Sequence, residues 1–326
     1  MAGYAAQARP AGRLRGRALA TEDQRAVPDV RRMVQLALAG IWLLDGILQY
    51  QAFMFSKGFA QMLSATAPGN PWFIAGPINW VARIISEHGT STNAVFALIQ
   101  VLLGLGIALR PTIRVALGAS IGWALAVWWF GEGLGGVLNG TASPVNGAPG
   151  AVILYALLAV LLWPPRQEKP ASFVAGRCTG PVLAKALWLV LWGALAYMAL
   201  LPVTRAPKAL SGMISGMAAG QPAWLASIDN HLASFLASRG PAAGIVLAAV
   251  LAVIAVGVFI PRPGAVRAIL ALAIVTAAAL WVAEGLGGML TGSGTDPNSG
   301  PLLALLALSY WPLASRTNRA TESEAG

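Results

Sequence analysis

The sequence is short of the residues with which most soluble proteins do chemistry. Its 326 residues include one cysteine and two histidines, and only 10% of them are charged. The single Cys178 excludes an internal disulfide and a CxxC metal or redox pair, and two histidines make a histidine-rich metal or heme site hard to build. A Walker loop and an HExxH motif are also absent from the sequence. We therefore predict no metal site and none of the enzyme classes that these motifs mark.

The scarcity of charged residues also indicates that the protein resides in a membrane and not in water. Soluble domains carry about 25% charged residues, whereas this chain is 57% hydrophobic and has a mean hydropathy of +0.67. The apolar residues form long runs, several near the roughly 20 residues that cross a bilayer. The formal net charge of +10 comes from basic residues in short flanks between these runs, which is typical of topology signals and contacts with anionic lipid. The chain is therefore predicted to be an integral membrane protein in contact with the lipid bilayer, with no nucleic-acid partner.

Eight apolar runs predict eight transmembrane helices. They cover residues 33–54, 92–109, 113–133, 150–164, 184–203, 242–260, 265–287 and 300–314. With the N-terminus inside, 17 of the 22 Lys and Arg residues fall in cytoplasmic segments, as the positive-inside rule requires. An even number of spans then places both termini in the cytoplasm. The first helix is expected to be an uncleaved signal anchor, because its apolar run is long and no small-residue cleavage site closes it.

The second half of the sequence repeats features of the first half. Residues 129–136, Trp-Phe-Gly-Glu-Gly-Leu-Gly-Gly, are echoed by residues 281–288, Trp-Val-Ala-Glu-Gly-Leu-Gly-Gly, at an offset of 152. Trp42 aligns with Trp192 at an offset of 150. Each unit would hold four spans, so the two copies are expected to enter the membrane in the same direction.

The predicted fold is an all-α integral membrane protein built from two tandem, parallel-oriented four-helix repeats, with eight transmembrane helices and cytoplasmic N and C termini. Its segments are a disordered basic cytoplasmic arm (1–32), a first repeat (33–165), a cytoplasmic linker (166–183), a second repeat (184–314) and a cytoplasmic tail (315–326). In each repeat, the long outer loop between the first two spans has apolar residues at helical spacing, which predict an amphipathic helix. These residues are Ile74, Ile78, Val81 and Ile85 in the first repeat and Leu225, Ile228, Leu232 and Phe235 in the second.

Glu132 and Glu284 are the first candidates for catalytic residues. Each follows a long apolar run, with Trp129 or Trp281 three residues before it and Gly-Leu-Gly-Gly after it. Acidic groups at membrane depth usually face a bundle interior or a water-filled cavity. The pattern predicts two pseudo-symmetric carboxylates beside an outward-facing cavity or, alternatively, glutamates that cap free N–H groups of the Gly-rich loop. Trp129 and Trp281 are candidates for cofactor contacts, although an interfacial aromatic belt is the favoured interpretation of these tryptophans.

Asp45 is the third catalytic candidate, and it lies about halfway along the first predicted span. An acidic group at that depth must be protonated, paired or hydrated. Gln49, one helical turn further on, is predicted to share its face and is a candidate for cofactor binding. Leu195 takes the place of Asp45 in the second repeat. The pair of Asp45 and Gln49 is predicted to handle protons, with an interhelical hydrogen bond as the alternative.

The four-span unit, with its long first loop and compact later helices, resembles the DoxX-like family of small bacterial membrane proteins, with two units fused here. Residues 42–49, Trp-Leu-Leu-Asp-Gly-Ile-Leu-Gln, and the Gly-Glu-Gly-Leu-Gly-Gly element resemble an uncharacterised bacterial subgroup. The resemblance implies a multi-pass protein of the plasma membrane and a link to quinone-associated oxidoreductase systems, including thiosulfate:quinone oxidoreductase. It would make quinone a possible cofactor and an oxidoreductase subunit a possible partner, and it identifies no catalytic residue.

Three functions are compatible with the sequence. The first is a membrane subunit of a quinone-linked oxidoreductase system, in which Asp45 and Glu132 accept or relay protons. The second is a small-molecule or proton-coupled transporter with a cavity between the two repeats. The third is a non-catalytic membrane scaffold.

Overall fold

The computed structural model describes residues 29–313, and every regular element within that range is helical. The helices are α1 (Val30–Leu48), α2 (Lys57–Ser64), α3 (Trp72–Ala108), α4 (Ile113–Phe130), α5 (Ala151–Leu161), α6 (Val174–Thr179), α7 (Pro181–Leu200), α8 (Pro202–Arg205), α9 (Ala209–Met217), α10 (Ala223–Ala237), α11 (Pro241–Gly257), α12 (Pro263–Ala283) and α13 (Ser299–Ser309). Shorter 3₁₀ segments cover Ala52–Phe55, Gly133–Gly136, Pro144–Asn146 and Gly285–Thr291. Most of the predicted arm and the whole predicted tail lie outside the described residues.

Four helices, α3, α4, α7 and α12, are long and apolar enough to cross a membrane. The pair of α10 and α11 makes a fifth candidate span that is bent by 107°. α5 and α13 are apolar but have 11 residues each, while α1 carries three charged residues in its 19. Several apolar helices in one chain indicate a multi-pass membrane protein.

The last residues of the predicted disordered arm belong to α1. The carboxylate of Asp29 accepts a hydrogen bond from the backbone N–H of Arg32 and so caps the helix. The guanidinium of Arg32 donates to the carbonyls of Ile107 (2.9 Å) and Ala108 at the end of α3. The last carbonyls of a helix have no partner within it, so this arginine supplies donors to α3 and fastens α1 to it.

The amphipathic helix predicted in the first outer loop is the beginning of α3, which bends at His88. Ile74, Ile78 and Ile85 are buried in a small hydrophobic cluster with Phe59 and Leu63 of α2. That apolar face is as predicted, but the helix is continuous with the second span.

In the second half, the same prediction is only partly right. Leu225 is buried, whereas Ile228 and Phe235 are exposed. The buried face of α10 consists of Leu225, Asp229 and Ala233 at intervals of four residues. Residues three and ten positions after Leu225 therefore point away from that face.

One hydrophobic core runs through both halves of the chain. It includes Trp42 and Leu154 of the first half together with Trp192 and Leu302 of the second. α13, the last helix, packs against α1 and α5 of the first half as well as against α12. The two predicted repeats therefore share a core.

The helical part of the predicted span 150–164 ends at Leu161, because prolines at positions 164 and 165 cannot continue a helix. Side chains from neighbouring helices satisfy the carbonyls of this end. Gln35 of α1 donates to the carbonyl of Leu162 (2.8 Å), and Arg114 of α4 donates to that of Pro164 (3.2 Å). The buried amide of Gln35 thereby meets a carbonyl that would otherwise lack a partner.

Candidate functional site

A cavity of about 580 Å³ lies at the end of the bundle where α4 and α12 end and α5 and α13 begin. Most of its walls come from residues 132–151 of the first half and 287–298 of the second. Glu132 and Asp296 bring two carboxyl groups to the lining, and the lining residues include no lysine, arginine or histidine. Exposed Thr141 and Asn146 also line it, so the cavity reaches the surface. It is a polar, acidic cleft at the junction of the two halves.

Hydrogen bonds between the halves hold the two loops in place. The side-chain amide of Gln51, just after α1, donates to the carbonyl of Gly294 in the second loop (3.0 Å). Reciprocally, the hydroxyl of Thr204 in α8 donates to the hydroxyl of Ser143 in the first loop (2.9 Å). Each loop is thus fixed by a residue of the other half, which makes the cavity a product of both.

The two Gly-Leu-Gly-Gly segments have the same unusual backbone. Leu134 and Leu286 both have positive φ, at 57° and 52°, a conformation that costs roughly 1–2 kcal/mol for a residue with a side chain. Gly135 lies so close to the backbone of Pro149 that a Cβ atom would collide with it, and Gly287 has the same relation to Pro297. Glycine is required there because each segment folds beneath the residues that lead into the next helix.

Glu132 points into the cavity from the end of α4. Its Oε1 accepts a hydrogen bond from the backbone N–H of Val152 in the first turn of α5 (3.4 Å). Its Oε2 is buried and has no hydrogen-bond partner within residues 29–313. Burial raises the pKa of Glu132 to about 8, and the nearby Asp296 adds to the increase. Glu132 is therefore a cavity carboxyl group that holds a proton near neutral pH.

Glu284, the counterpart in the second half, is 2% exposed and does not line the cavity. Its Oε1 accepts a hydrogen bond from the hydroxyl of Ser299 in the first turn of α13 (2.7 Å). Burial raises its pKa to about 8 as well, with a contribution from Asp296. Each glutamate is bonded to the first turn of the helix that follows and not to the Gly-rich loop, as the second interpretation of the sequence had it. Of the two, Glu132 faces the cavity.

Asp296 is the cavity carboxylate that sequence reasoning missed. Its oxygens accept hydrogen bonds from the hydroxyl of Thr295 (2.9 Å) and the backbone N–H of Asn298 (2.7 Å). Burial raises the pKa of Asp296 above its ordinary value. The available signal was its position, since it is the one acidic residue in the Gly-rich stretch that follows Glu284, directly before Pro297.

Asp45 lies in the last turn of α1, because α1 ends at Leu48, so the prediction of a mid-span position was wrong. The apolar run continues to residue 54, but backbone hydrogen bonds from Tyr50 and Gln51 close the helix with a turn. Asp45 is 1% exposed. Its Oδ2 accepts a hydrogen bond from the hydroxyl of Tyr155 (2.5 Å), and its Oδ1 has no hydrogen-bond partner in the described part of the chain.

Tyr155 was also missed, although it is the one polar residue in the aliphatic run 151–162. It lies one helical turn beyond Ala151, which lines the cavity. The charge of Asp296 is close enough to interact with both Asp45 and Tyr155. The pair of Asp45 and Tyr155 therefore lies just behind the cavity.

None of the three predicted cofactor-binding residues lines the cavity. Gln49 ends α1, and its backbone carbonyl accepts a hydrogen bond from the side chain of Asn93 (2.6 Å); the partner of Asp45 is Tyr155. Trp129 is 45% exposed and donates to the carbonyl of Phe73 (3.1 Å).

Trp281 packs so closely on Gly300 that this position has no room for a Cβ atom. The tryptophan beside the Glu132 carboxylate is Trp128, which donates to the carbonyl of Pro149 (2.7 Å). Trp129, the residue predicted for the site, is thus the chain neighbour of the tryptophan that lies beside Glu132.

The second half lacks an equivalent of the Asp45–Tyr155 pair. At the offsets of 150 and 148 that relate neighbouring residues, Leu195 stands for Asp45 and Leu303 for Tyr155. Both leucines are buried in the shared core. The second half thus has two aliphatic residues at the positions that correspond to the polar pair.

The geometry brings together two cavity carboxyl groups, Glu132 and Asp296, and a buried carboxyl–phenol pair behind them. Within residues 29–313, no three His, Cys, Asp or Glu side chains converge in an arrangement that could hold a metal ion. This arrangement can bind either protons or a positively charged group at its carboxyl groups. Comparisons with family models, with curated proteins and with solved structures find no match to the chain.

Proposed function

We propose that the chain is a proton-coupled exchanger of a small cationic solute. The observation that carries the proposal is the cavity of about 580 Å³ with Glu132 and Asp296 in its lining and no basic side chain to neutralise them. A protonated amine or a similar organic cation would supply the missing positive charge. The cavity volume lies in the range of small-molecule sites.

Exchange follows from the state of the carboxyl groups. With a pKa of about 8, Glu132 holds a proton in the empty cavity at neutral pH. A cation placed between Glu132 and Asp296 favours their charged forms and lowers both pKa values. Binding of the cation would therefore release a proton, and return of the proton would release the cation.

The Asp45–Tyr155 pair is proposed to pass the proton between the cavity and the interior of the bundle. Its support is its position one turn behind the cavity lining and the hydrogen bond of 2.5 Å that joins the two side chains. Buried ionisable groups in membrane helices commonly belong to proton pathways. This role replaces the one predicted for Asp45 and Gln49.

The proposal includes a topology. We place eight crossing helices in two tandem units, with both termini in the cytoplasm and the cavity on the outer face of the plasma membrane. α4 has 18 residues, or about 27 Å, close to the roughly 30 Å of a bilayer core. The non-helical residues after α5 extend that short helix to the level of Arg114, at the start of α4. The distribution of lysine and arginine supports the orientation.

The other functions predicted from the sequence, a quinone-linked subunit with an oxidoreductase partner and a membrane scaffold, stay predictions. The DoxX-like resemblance stays a prediction as well. A quinone ring is held mainly by apolar and aromatic side chains. The lining of the cavity consists instead of carboxyl, amide and hydroxyl groups with glycine and alanine. This polarity is why we favour the transporter.

The test is proton movement in proteoliposomes that contain the purified full-length chain and an internal pH-sensitive dye. An outward proton gradient should drive uptake of one or more of methylammonium, guanidinium and spermidine, and none of the matched neutral solutes methanol, urea and glycerol. The Glu132→Gln variant should abolish that flux, while Glu284→Gln should retain it. Absence of cation-dependent proton movement for the whole set would contradict the proposal, and Glu132-dependent turnover of a reduced quinone would favour the oxidoreductase hypothesis instead.

A further inference from the structure

A second cavity, of about 520 Å³, lies at the opposite end of the bundle, where α7 and α12 begin and α13 ends. Lys185, Arg262 and Arg267 contribute three basic side chains to its lining, and the lining includes no acidic residue. This cavity is therefore opposite in charge to the first one. The proposed transport function does not use it.

The three basic side chains are available for a ligand. Within residues 29–313, the ion pairs are those of Arg31 (2.7 Å) and Arg177 (3.5 Å) with Glu168, and neither involves the basic residues of the second cavity. The ammonium group of Lys185 lies 5.5 Å from the centroid of the Phe259 ring, a cation–π distance that leaves its N–H donors free. Arg262 and Arg267 are exposed.

The other walls of the cavity are apolar. Phe173 and Tyr310 stack with their ring centroids 5.4 Å apart. The hydroxyl of Tyr310 donates a hydrogen bond to the carbonyl of Ala184 and is therefore already paired. Val258 and Val266 complete the apolar lining. A ligand that fits must combine an anionic group with an apolar part.

The surroundings of the cavity favour a lipid over a free anion. Phe259 and Ile260, large apolar residues next to the basic cluster, are exposed, and α7 and α12, which begin here, are apolar enough to cross a membrane. An inorganic anion would gain nothing from these residues, whereas the first carbons of an acyl chain would cover them. In the proposed topology this end faces the cytoplasmic leaflet, where basic clusters meet anionic lipid.

We propose that this cavity binds the phosphate headgroup of an anionic phospholipid through Lys185, Arg262 and Arg267, with the upper part of an acyl chain against Phe259 and Ile260. Guanidinium groups bind phosphate oxygens bidentately, which makes the two arginines the main anchors. Lys185, also in the lining, adds a point charge.

The test is native mass spectrometry of the full-length protein in detergent, titrated with phosphatidylglycerol or with phosphatidylcholine of the same acyl chains. The variant R262Q/R267Q is compared with R110Q/R166Q, which removes two exposed arginines from the same end of the bundle outside the cavity. We expect tight binding of about one phosphatidylglycerol, weakened roughly tenfold or more in R262Q/R267Q and unchanged in R110Q/R166Q.

Three results would overturn the proposal. They are equal binding of the two lipids by the wild type, equal loss of lipid in both double variants, and stabilisation by inorganic phosphate alone that matches stabilisation by the lipid. If R262Q/R267Q fails to fold, the single variant K185Q is expected to weaken phosphatidylglycerol severalfold, and unchanged binding in that variant would contradict the assignment.

Discussion

The two Gly-Glu-Gly-Leu-Gly-Gly-like segments at Glu132 and Glu284 differ in what surrounds them. Both fold into the same strained turn, and both glutamates accept hydrogen bonds from the first turn of the next helix. Glu132 faces the polar cavity, with Asp45 and Tyr155 behind it. Glu284 is buried away from the cavity, and leucines fill the positions that correspond to Asp45 and Tyr155. The comparison teaches that the motif builds a capped turn and that its neighbours decide whether the carboxyl group can do chemistry.

The largest expected effect comes from removing each glutamate in turn. Glu132→Gln should weaken cation binding roughly 30-fold or more, because it removes one of the two cavity carboxylates from a largely desolvated site. Glu284→Gln should change binding by less than about twofold, since glutamine can still accept the hydrogen bond of Ser299. Equilibrium binding of the transported cation measures both. Equal losses in the two variants would show that the glutamates do not differ in role.

A second experiment gives the first half the two leucines that the second half has at the positions of Asp45 and Tyr155. The double variant D45L/Y155L should fold with stability at or above that of the wild type, because it removes a buried polar pair together rather than one partner alone. Proton-coupled transport should fall at least roughly tenfold, as for loss of a positioned proton-transfer group. Thermal unfolding and flux are measured on the same preparation. Retained flux in a folded double variant would remove the pair from the proton pathway.

A third comparison concerns the two Gly-Leu-Gly-Gly turns. G135A and G287A should each destabilise the protein by about 1–3 kcal/mol, because a side chain there meets both positive φ and a backbone collision. Both variants should also weaken cation binding, since Gly135 and Gly287 line the cavity and Gly287 packs on the backbone of Asp296. Denaturation and binding curves for the two variants make the comparison. Unchanged binding in a folded G135A or G287A variant would contradict the assignment of both turns to the cavity wall.

A fourth comparison is the pH dependence of stability without ligand. The pKa of each glutamate is raised from 4.5 to about 8 in the folded protein. Between these values the folded state holds more protons than the unfolded state. Stability is therefore greatest below pH 4.5, falls as the pH rises to about 8 and is level above it. Thermal unfolding between about pH 5 and 9 measures the fall, which should be smaller in both Glu→Gln variants. A wild-type stability that rises over this interval would contradict the assignment.

Hydropathy and periodicity could predict the helices of the fold but not all of their ends. Runs of apolar residues identify α3, α4, α7 and α12, since a bilayer demands such runs. Composition does not reveal where a helix stops inside an apolar run. Asp45 was placed too deep for this reason, because the turn at Tyr50 that ends α1 leaves the run unbroken.

The candidate site could be predicted in part. A carboxylate after a long apolar run is rare enough to identify Glu132, and its repeat identifies Glu284. The sequence around each glutamate does not show that Glu132 faces the cavity and Glu284 does not, because that difference arises from loops of the opposite half. Asp296 and Tyr155 become site residues only when α13 and its preceding loop pack against the first half.

The most direct test of the account is the number of protons released when the cation binds. Calorimetric titration of wild type, Glu132→Gln and Glu284→Gln at pH 7, in two buffers of different ionisation enthalpy, measures that number. The account predicts release of about one proton by the wild type and by Glu284→Gln, and clearly less by Glu132→Gln, because the group with a pKa of about 8 is then missing. Cation binding without proton release in the wild type, or with the same release in Glu132→Gln, would contradict it.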